Sequence, residues 1–128
     1  MGAEICQWRK REAAVLDTTR ITLLRRSLGD QRAREILEET AFHLSDRLAL
    51  LAAARAAGNR AEARASASRI AAMGEQVGLE SFARTARDLD ACLACGDPIA
   101  EAAVAARLDR LAEDSLYSLV AYAEHSAL

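Results

Sequence analysis

Apolar side chains recur three and four residues apart along most of the chain, which is the spacing of one face of an α-helix. The longest of these stripes lies within a predicted helix over about Gln31–Ala57. No segment alternates apolar and polar residues with the period of two of a half-buried strand, so strands are not expected. The stripe positions are Leu37, Ala41, Leu44, Leu48 and Leu51; Ala63, Ala67, Ile70, Met73 and Val77; Phe82, Ala86, Leu89 and Leu93; and Val104, Leu108, Leu111, Leu119 and Tyr122.

Glycine and proline separate the stripes and mark where helices end and begin. Glycine stops a helix readily, and Asp or Asn beside it caps the next one. Pro98 suits the first position of the last helix, which is predicted over about Ile99–Glu124. The breaks are Gly29-Asp30, Gly58-Asn59, Val77-Gly78 and Gly96-Asp97-Pro98, and the predicted caps are Asp17, Asn59 and Asp97.

Four long amphipathic helices with short connections predict an all-α fold, an antiparallel up-down four-helix bundle. A short additional N-terminal helix over Thr18–Leu28 precedes them, with Ile21, Leu24 and Leu28 facing inward. Residues 1–14 are expected to be a charged N-terminal extension that frays unless Trp8 docks on the bundle. Residues 15–128 are expected to form the helical domain.

Composition and charge exclude several classes of function. The chain has 17 basic and 19 acidic residues spread along its length, so no basic block favours nucleic-acid binding. No apolar run approaches the roughly 20 residues of a membrane span, and Met1–Lys10 has no apolar signal-peptide core. We therefore expect a cytoplasmic protein. The bias toward alanine and arginine is typical of a GC-rich bacterial genome.

Cys92 and Cys95 form a C-x-x-C, the pattern of redox and metal sites. They fall in the last turn of a predicted helix, where the helix dipole does not stabilise a thiolate. A structural zinc site needs four ligands, and only Cys6, His43 and His125 remain to complete it. We interpret the pair as small apolar fillers and expect no metal and no cofactor.

The segment from Ser68 to Asp90, SRIAAMGEQVGLESFARTARDLD, resembles the signature of histidine-containing phosphotransfer (HPt) domains. That signature runs His-x-Leu/Ile-Lys-Gly, five residues, a Leu/Val-Gly pair, and a helix with a Leu…Ala/Cys…Leu-Glu pattern. The likeness covers about Val15–Val120 and implies an HPt-like bundle in two-component phosphorelay signalling. The matching positions are Ile70, Val77, Gly78, Leu79, Phe82, Ala86, Leu89 and Asp90, with Val15-Leu16-Asp17 and Leu28-Gly29-Asp30 upstream.

The chain departs from the family at the residues that carry its chemistry. Ser68 occupies the phosphoacceptor position, Ala71 the lysine position and Ala72 the glycine position. An imidazole is nucleophilic near neutral pH, whereas an unassisted serine hydroxyl is not, and alanine offers a phosphoryl group no positive charge. His43 and His125 lie outside the motif and are interpreted as solvated or locally hydrogen-bonded. We expect no phosphotransfer and no catalytic residue, so the chain is not expected to be an enzyme.

In the family, the face of this helix docks the receiver domain of a response regulator. The resemblance therefore implies a receiver domain, or a sensor-kinase component, as the partner of a pseudo-HPt. Residues three, four and seven apart share a helix face, and small side chains there permit close approach. The expected partner-binding residues are Ala61, Arg64, Ala65, Ser68, Ala71, Ala72 and Glu75.

Two other functions are open. Helical phosphatases of receiver domains position water with an acid and an amide, and Glu75 with Gln76 offers such a pair. A structural bundle that forms a homodimer would need a further exposed apolar face, for which Phe42 with Ala49 is the candidate.

Overall fold

Five α-helices follow one another in residues 16–125, the part of the chain that the computed structural model describes, and this part contains no β-strand. The predicted all-α class is confirmed. The predictions for residues 1–14, including Trp8 and Cys6, lie outside the described residues. Within 16–125, each helix is too short or too polar to cross a membrane. The helices are α1 (Thr18–Leu28), α2 (Asp30–Ala56), α3 (Arg60–Gln76), α4 (Glu80–Cys95) and α5 (Pro98–His125).

Side-chain caps begin three of the helices at the residues that the sequence indicates. The Asp17 carboxylate accepts a hydrogen bond from the Thr19 N–H at 3.0 Å, and this bond holds the pKa of Asp17 below its usual range. The Asn59 side chain accepts from the Glu62 N–H at 3.1 Å, and Asp97 accepts from two N–H groups at the start of α5, both at 3.1 Å. These bonds satisfy donors that have no partner inside a helix.

The start of α1 is fixed to the turn between α3 and α4. The Asp17 N–H donates to the Gly78 carbonyl oxygen at 2.7 Å. Gly78 has a φ of 82°, and a Cβ atom there would overlap the Asp17 carbonyl oxygen. Only glycine combines this left-handed backbone with such a close approach. The Val-Gly turn therefore ends α3 and also binds the residue that precedes α1.

Each long helix packs against the next one along the chain, and the last, α5, packs against the first, α2. Helix α3 packs against α2 and α4, α5 packs against α4 and α2, and α1 packs against α2. The inner side of α3 is made mostly of small residues, so its neighbours approach closely. At Gly74 an added Cβ atom would lie 3.2 Å from the Phe82 ring. The largest fully buried side chains include Ile21, Leu37, Leu44, Ile70, Val77, Leu79, Phe82, Leu89, Leu108 and Leu119.

The predicted stripe residues of α2–α5 are all buried or half-buried, but one of the inward residues predicted for α1 is not. Ile21 is fully buried and Leu24 is half-buried, but Leu28 is 49% exposed. The prediction that Leu28 faces inward is therefore wrong. Leu28 is the last residue of a short helix whose main contact is with a single neighbour, so about half of the residue stays exposed.

Ser66 carries the one buried side-chain oxygen or nitrogen within residues 16–125 that has no hydrogen-bond partner. An unpaired buried hydroxyl costs roughly 1–3 kcal/mol, and alanine is the better helix former. We expect Ser66→Ala to raise the free energy of unfolding by about 1–2 kcal/mol. Urea denaturation measures the change.

The matched control is Ser68→Ala, because Ser68 lies on the same helix but is exposed. Its free energy of unfolding should rise by at most about 0.5 kcal/mol, which is the difference in helix propensity between serine and alanine. A loss of stability in Ser66→Ala would mean that the Ser66 hydroxyl has a partner after all.

Candidate functional site

The outward side of α3 carries the residues that the sequence predicts for partner binding, with one exception. Ser68 and Ala72 lie near its centre, and both are exposed. Alanine and serine form most of this exposed face, so its side chains are small. The predicted residues that are exposed on α3 are Ala61, Arg64, Ala65, Ser68, Ala72 and Glu75.

Ala71 is the exception, and its assignment to the exposed face is wrong. Its side chain is fully buried and belongs to the core. Arg64 lies two turns before Ala71 and Glu75 one turn after it, so the three share a side of the helix. Arg64 and Glu75 both reach α4, and the short alanine between them is therefore covered by that helix.

Two ion pairs border the exposed face on the side of α4. Arg64 Nε lies 2.8 Å from Asp90 Oδ1, and Arg87 Nη2 lies 2.7 Å from Glu75 Oε1. Exposed ion pairs stabilise a fold only slightly. Their effect here is positional, because both charged side chains of the predicted site bend toward α4. The middle of the face is left to small, uncharged side chains.

A groove between α2 and α3, of about 450 Å³, borders the same face on its other side. Ala72 belongs to both the face and the groove. His43, which is exposed, contributes to the groove from α2, and the ring of Phe42 contacts it edge-on with the centroids 5.7 Å apart. The lining residues are His43, Arg47, Arg69, Ala72, Met73 and Gln76.

Sequence reasoning missed the two arginines of this groove. Arg47 lies four residues after His43 and therefore on the same side of α2, while Arg69 directly follows Ser68. These spacings are visible in the sequence. The sequence does not show that the two arginines line the same groove, one from α2 and the other from α3.

Ser68 has none of the surroundings that would activate its hydroxyl. Within residues 16–125, no hydrogen bond joins it to a base, and α3 contains no histidine. Of the two other family positions, Ala72 is exposed and Ala71 is buried. A lysine at position 71 would have to pass between α3 and α4 to reach a phosphoryl group. His125 is the last residue of α5, not of α3.

The two cysteines lie at the end of α4, as predicted. Cys92 is half-buried, and burial raises the pKa of its thiol, with the carboxylates of Asp97 and Asp88 adding to the shift. A raised pKa keeps the thiol protonated and weakly nucleophilic. Cys95 is exposed, so the interpretation of both cysteines as small apolar fillers is wrong for this one. Among the described residues, no group of three or more His, Cys, Asp or Glu side chains could hold a metal ion.

Comparisons of the chain with family models, with curated proteins and with solved structures give no match. The HPt resemblance therefore remains a prediction that rests on the motif around Ser68–Asp90.

Proposed function

We propose that this chain is a divergent HPt-like domain that docks the receiver domain of a response regulator without accepting its phosphate. One observation carries the proposal. The helix with the family motif exposes a face of small side chains centred on Ser68 and Ala72, the positions of the family's histidine and glycine. A partner domain can approach such a face closely because little side-chain bulk stands in the way.

We also propose that α2–α5 form an antiparallel up-down four-helix bundle, with α1 laid across one end. Connections of two or three residues support reversal of direction at each turn, since they are too short for a crossover. The closed ring of contacts among α2, α3, α4 and α5 supports the same arrangement. The hydrogen bond from Asp17 to Gly78 ties α1 to the end at which α3 gives way to α4.

The chemistry at position 68 supports binding without transfer. A serine hydroxyl without a base is a poor nucleophile, and a serine phosphate ester is too stable to pass its phosphoryl group to a carboxylate. The proposed role is that of an adaptor, decoy or regulator in a cytoplasmic phosphorelay. Its partner would be a receiver domain or, as the alternative, a sensor-kinase component.

The phosphatase and homodimer alternatives have weaker support. Glu75 pairs with Arg87 on α4, whereas Gln76 lines the groove between α2 and α3, so the acid and the amide lie on different sides of α3. Phe42 is 71% exposed but stands on α2 beside polar neighbours, including Asp46, rather than in an apolar patch.

The proposal predicts the fate of phosphate when the chain meets a phosphorylated receiver domain from the same cell. We expect no acid-labile label on the chain, because neither Ser68 nor its surroundings can take up the phosphoryl group. We also expect the receiver to lose its label at its own unassisted rate. Radiolabelled phosphate followed by gel electrophoresis at neutral pH measures both quantities.

Two outcomes would contradict this expectation. Label on His43 would show that the chain is a phosphoacceptor through a different helix. Faster loss of label from the receiver, abolished in Gln76→Ala, would favour the phosphatase instead.

A further inference from the structure

The groove between α2 and α3 contains two arginines without a carboxylate partner. Within residues 16–125, neither Arg47 nor Arg69 forms an ion pair, and Arg47 is half-buried. Five other arginines of the described chain form ion pairs, whereas several exposed ones, such as Arg26 and Arg110, do not; what distinguishes Arg47 and Arg69 is that both line one groove. The paired ones are Arg32, Arg34, Arg55, Arg64 and Arg87.

Carboxylates near the groove do not face it. Asp46 directly precedes Arg47 on α2 but is not among the lining residues. Glu75 directly precedes Gln76 on α3, and its carboxylate is bound to Arg87 on α4. The groove therefore combines two guanidinium groups with an imidazole and an amide, and no described residue that lines it is acidic.

This set of donors matches a phosphoryl group. Guanidinium groups bind phosphate oxygens through paired, charge-assisted hydrogen bonds, and an amide and an imidazole can donate further bonds. Arginines on facing helices can contact different oxygens of one tetrahedral anion. The groove, at about 450 Å³ and open to solvent, has room for such a group while it remains attached to a partner.

We propose that the groove between α2 and α3 binds a phosphoryl group through Arg47 and Arg69, with His43 and Gln76 as further donors. The inference rests on the proposed function for the source of that group. A receiver docked over Ala72 also covers the groove, because Ala72 lines both surfaces. The groove would then make docking selective for the phosphorylated receiver, even though the phosphoryl group is not transferred.

The first test uses inorganic phosphate and the full chain, at constant ionic strength so that screening does not vary. Nuclear magnetic resonance should show saturable shifts of the His43 ring and of the Arg47 and Arg69 side-chain N–H groups. The Arg47→Gln/Arg69→Gln variant should bind phosphate at least about tenfold more weakly, because two charge-assisted bonds are lost.

The matched control is Arg26→Gln/Arg110→Gln, which removes the same charge from two exposed arginines on α1 and α5. It should change the affinity by less than about twofold, since those charges are distant and screened. Equal weakening in both double variants, or no saturable shift in the wild type, would overturn the groove as a phosphoryl site.

The second test compares phosphorylated and unphosphorylated receiver domains and separates the two proposals. The wild type should prefer the phosphorylated form, and Arg47→Gln/Arg69→Gln should lose that preference while still binding the unphosphorylated form. Binding of both forms with equal affinity by the wild type would overturn the selectivity. If no receiver binds while phosphate still binds in the groove, the proposed function fails and the phosphoryl site stands.

Discussion

Replacement of Gly78 by alanine is expected to destabilise the fold by about 3 kcal/mol or more. Two costs combine at this position. A residue with a Cβ atom is strained at a φ of 82°, and the Cβ would overlap the Asp17 carbonyl oxygen and lie 3.2 Å from the Asp17 Cβ. The hydrogen bond from the Asp17 N–H to Gly78 would be broken as the two segments separate.

Gly58→Ala separates the backbone cost from the steric one. Gly58 has a similar φ of 72°, but nothing lies within 4 Å of an added Cβ atom. The free energy of unfolding of this control should fall by only about 1 kcal/mol, which is the strain of alanine in the left-handed conformation. Urea denaturation of the two variants gives the comparison. Amide exchange in α1 should accelerate in Gly78→Ala alone. Equal losses of stability would contradict the seating of α1 on the turn after α3.

The helix boundaries follow from local chemistry, and for that reason the sequence predicts them well. The caps at Asp17, Asn59 and Asp97 involve hydrogen bonds to N–H groups two or three residues away. Glycine at each break adopts a positive φ whatever the distant parts of the chain do. Interactions of such short range are contained in a few consecutive residues.

Burial at the edge of a helix depends instead on the neighbouring helix. Ala71 and Ala72 are consecutive and lie three and four residues after Ser68, the spacing on which both are predicted to share its face. Packing of α4 against α3 covers Ala71 and leaves Ala72 exposed, because the side of Arg64 and Glu75 faces α4. Leu28 shows the converse, since an inward position stays exposed when nothing packs over the end of α1.

The groove could not be predicted for a related reason. Its walls come from two helices. Whether Arg47 and Arg69 line the same groove depends on how far α2 and α3 are offset along their axes. Apolar periodicity indicates which sides of the two helices meet, but it does not fix this offset. The structure supplies this offset and places two further arginines, Arg47 and Arg69, beside the predicted face of small side chains and a few charges.

Replacement of Ala72 by arginine is expected to weaken receiver binding by about 2 kcal/mol or more, which is about thirtyfold. Ala72 lies in the middle of the exposed face and also lines the groove. A long cationic side chain there would keep the partner's backbone away from α3. Substitutions at the centre of an interface usually have the largest effects, because the contacts there are fully desolvated.

Ala103→Arg provides the matched control for charge and size. Ala103 is an exposed alanine on α5, which packs against α2 and α4. The same substitution there adds the same side chain to a helix surface outside the proposed interface. Its receiver affinity should therefore remain within about twofold of the wild type, since exposed charges at a distance are largely screened.

Calorimetric titration of the chain with the receiver domains of the same cell measures docking through the exposed face of α3. The wild-type chain, Ala72→Arg and Ala103→Arg are compared under identical conditions. At least one receiver should bind the wild type and Ala103→Arg with similar affinity, and should bind Ala72→Arg about thirtyfold more weakly or worse. Equal affinity of all three chains for that receiver would contradict the assignment of the interface to α3.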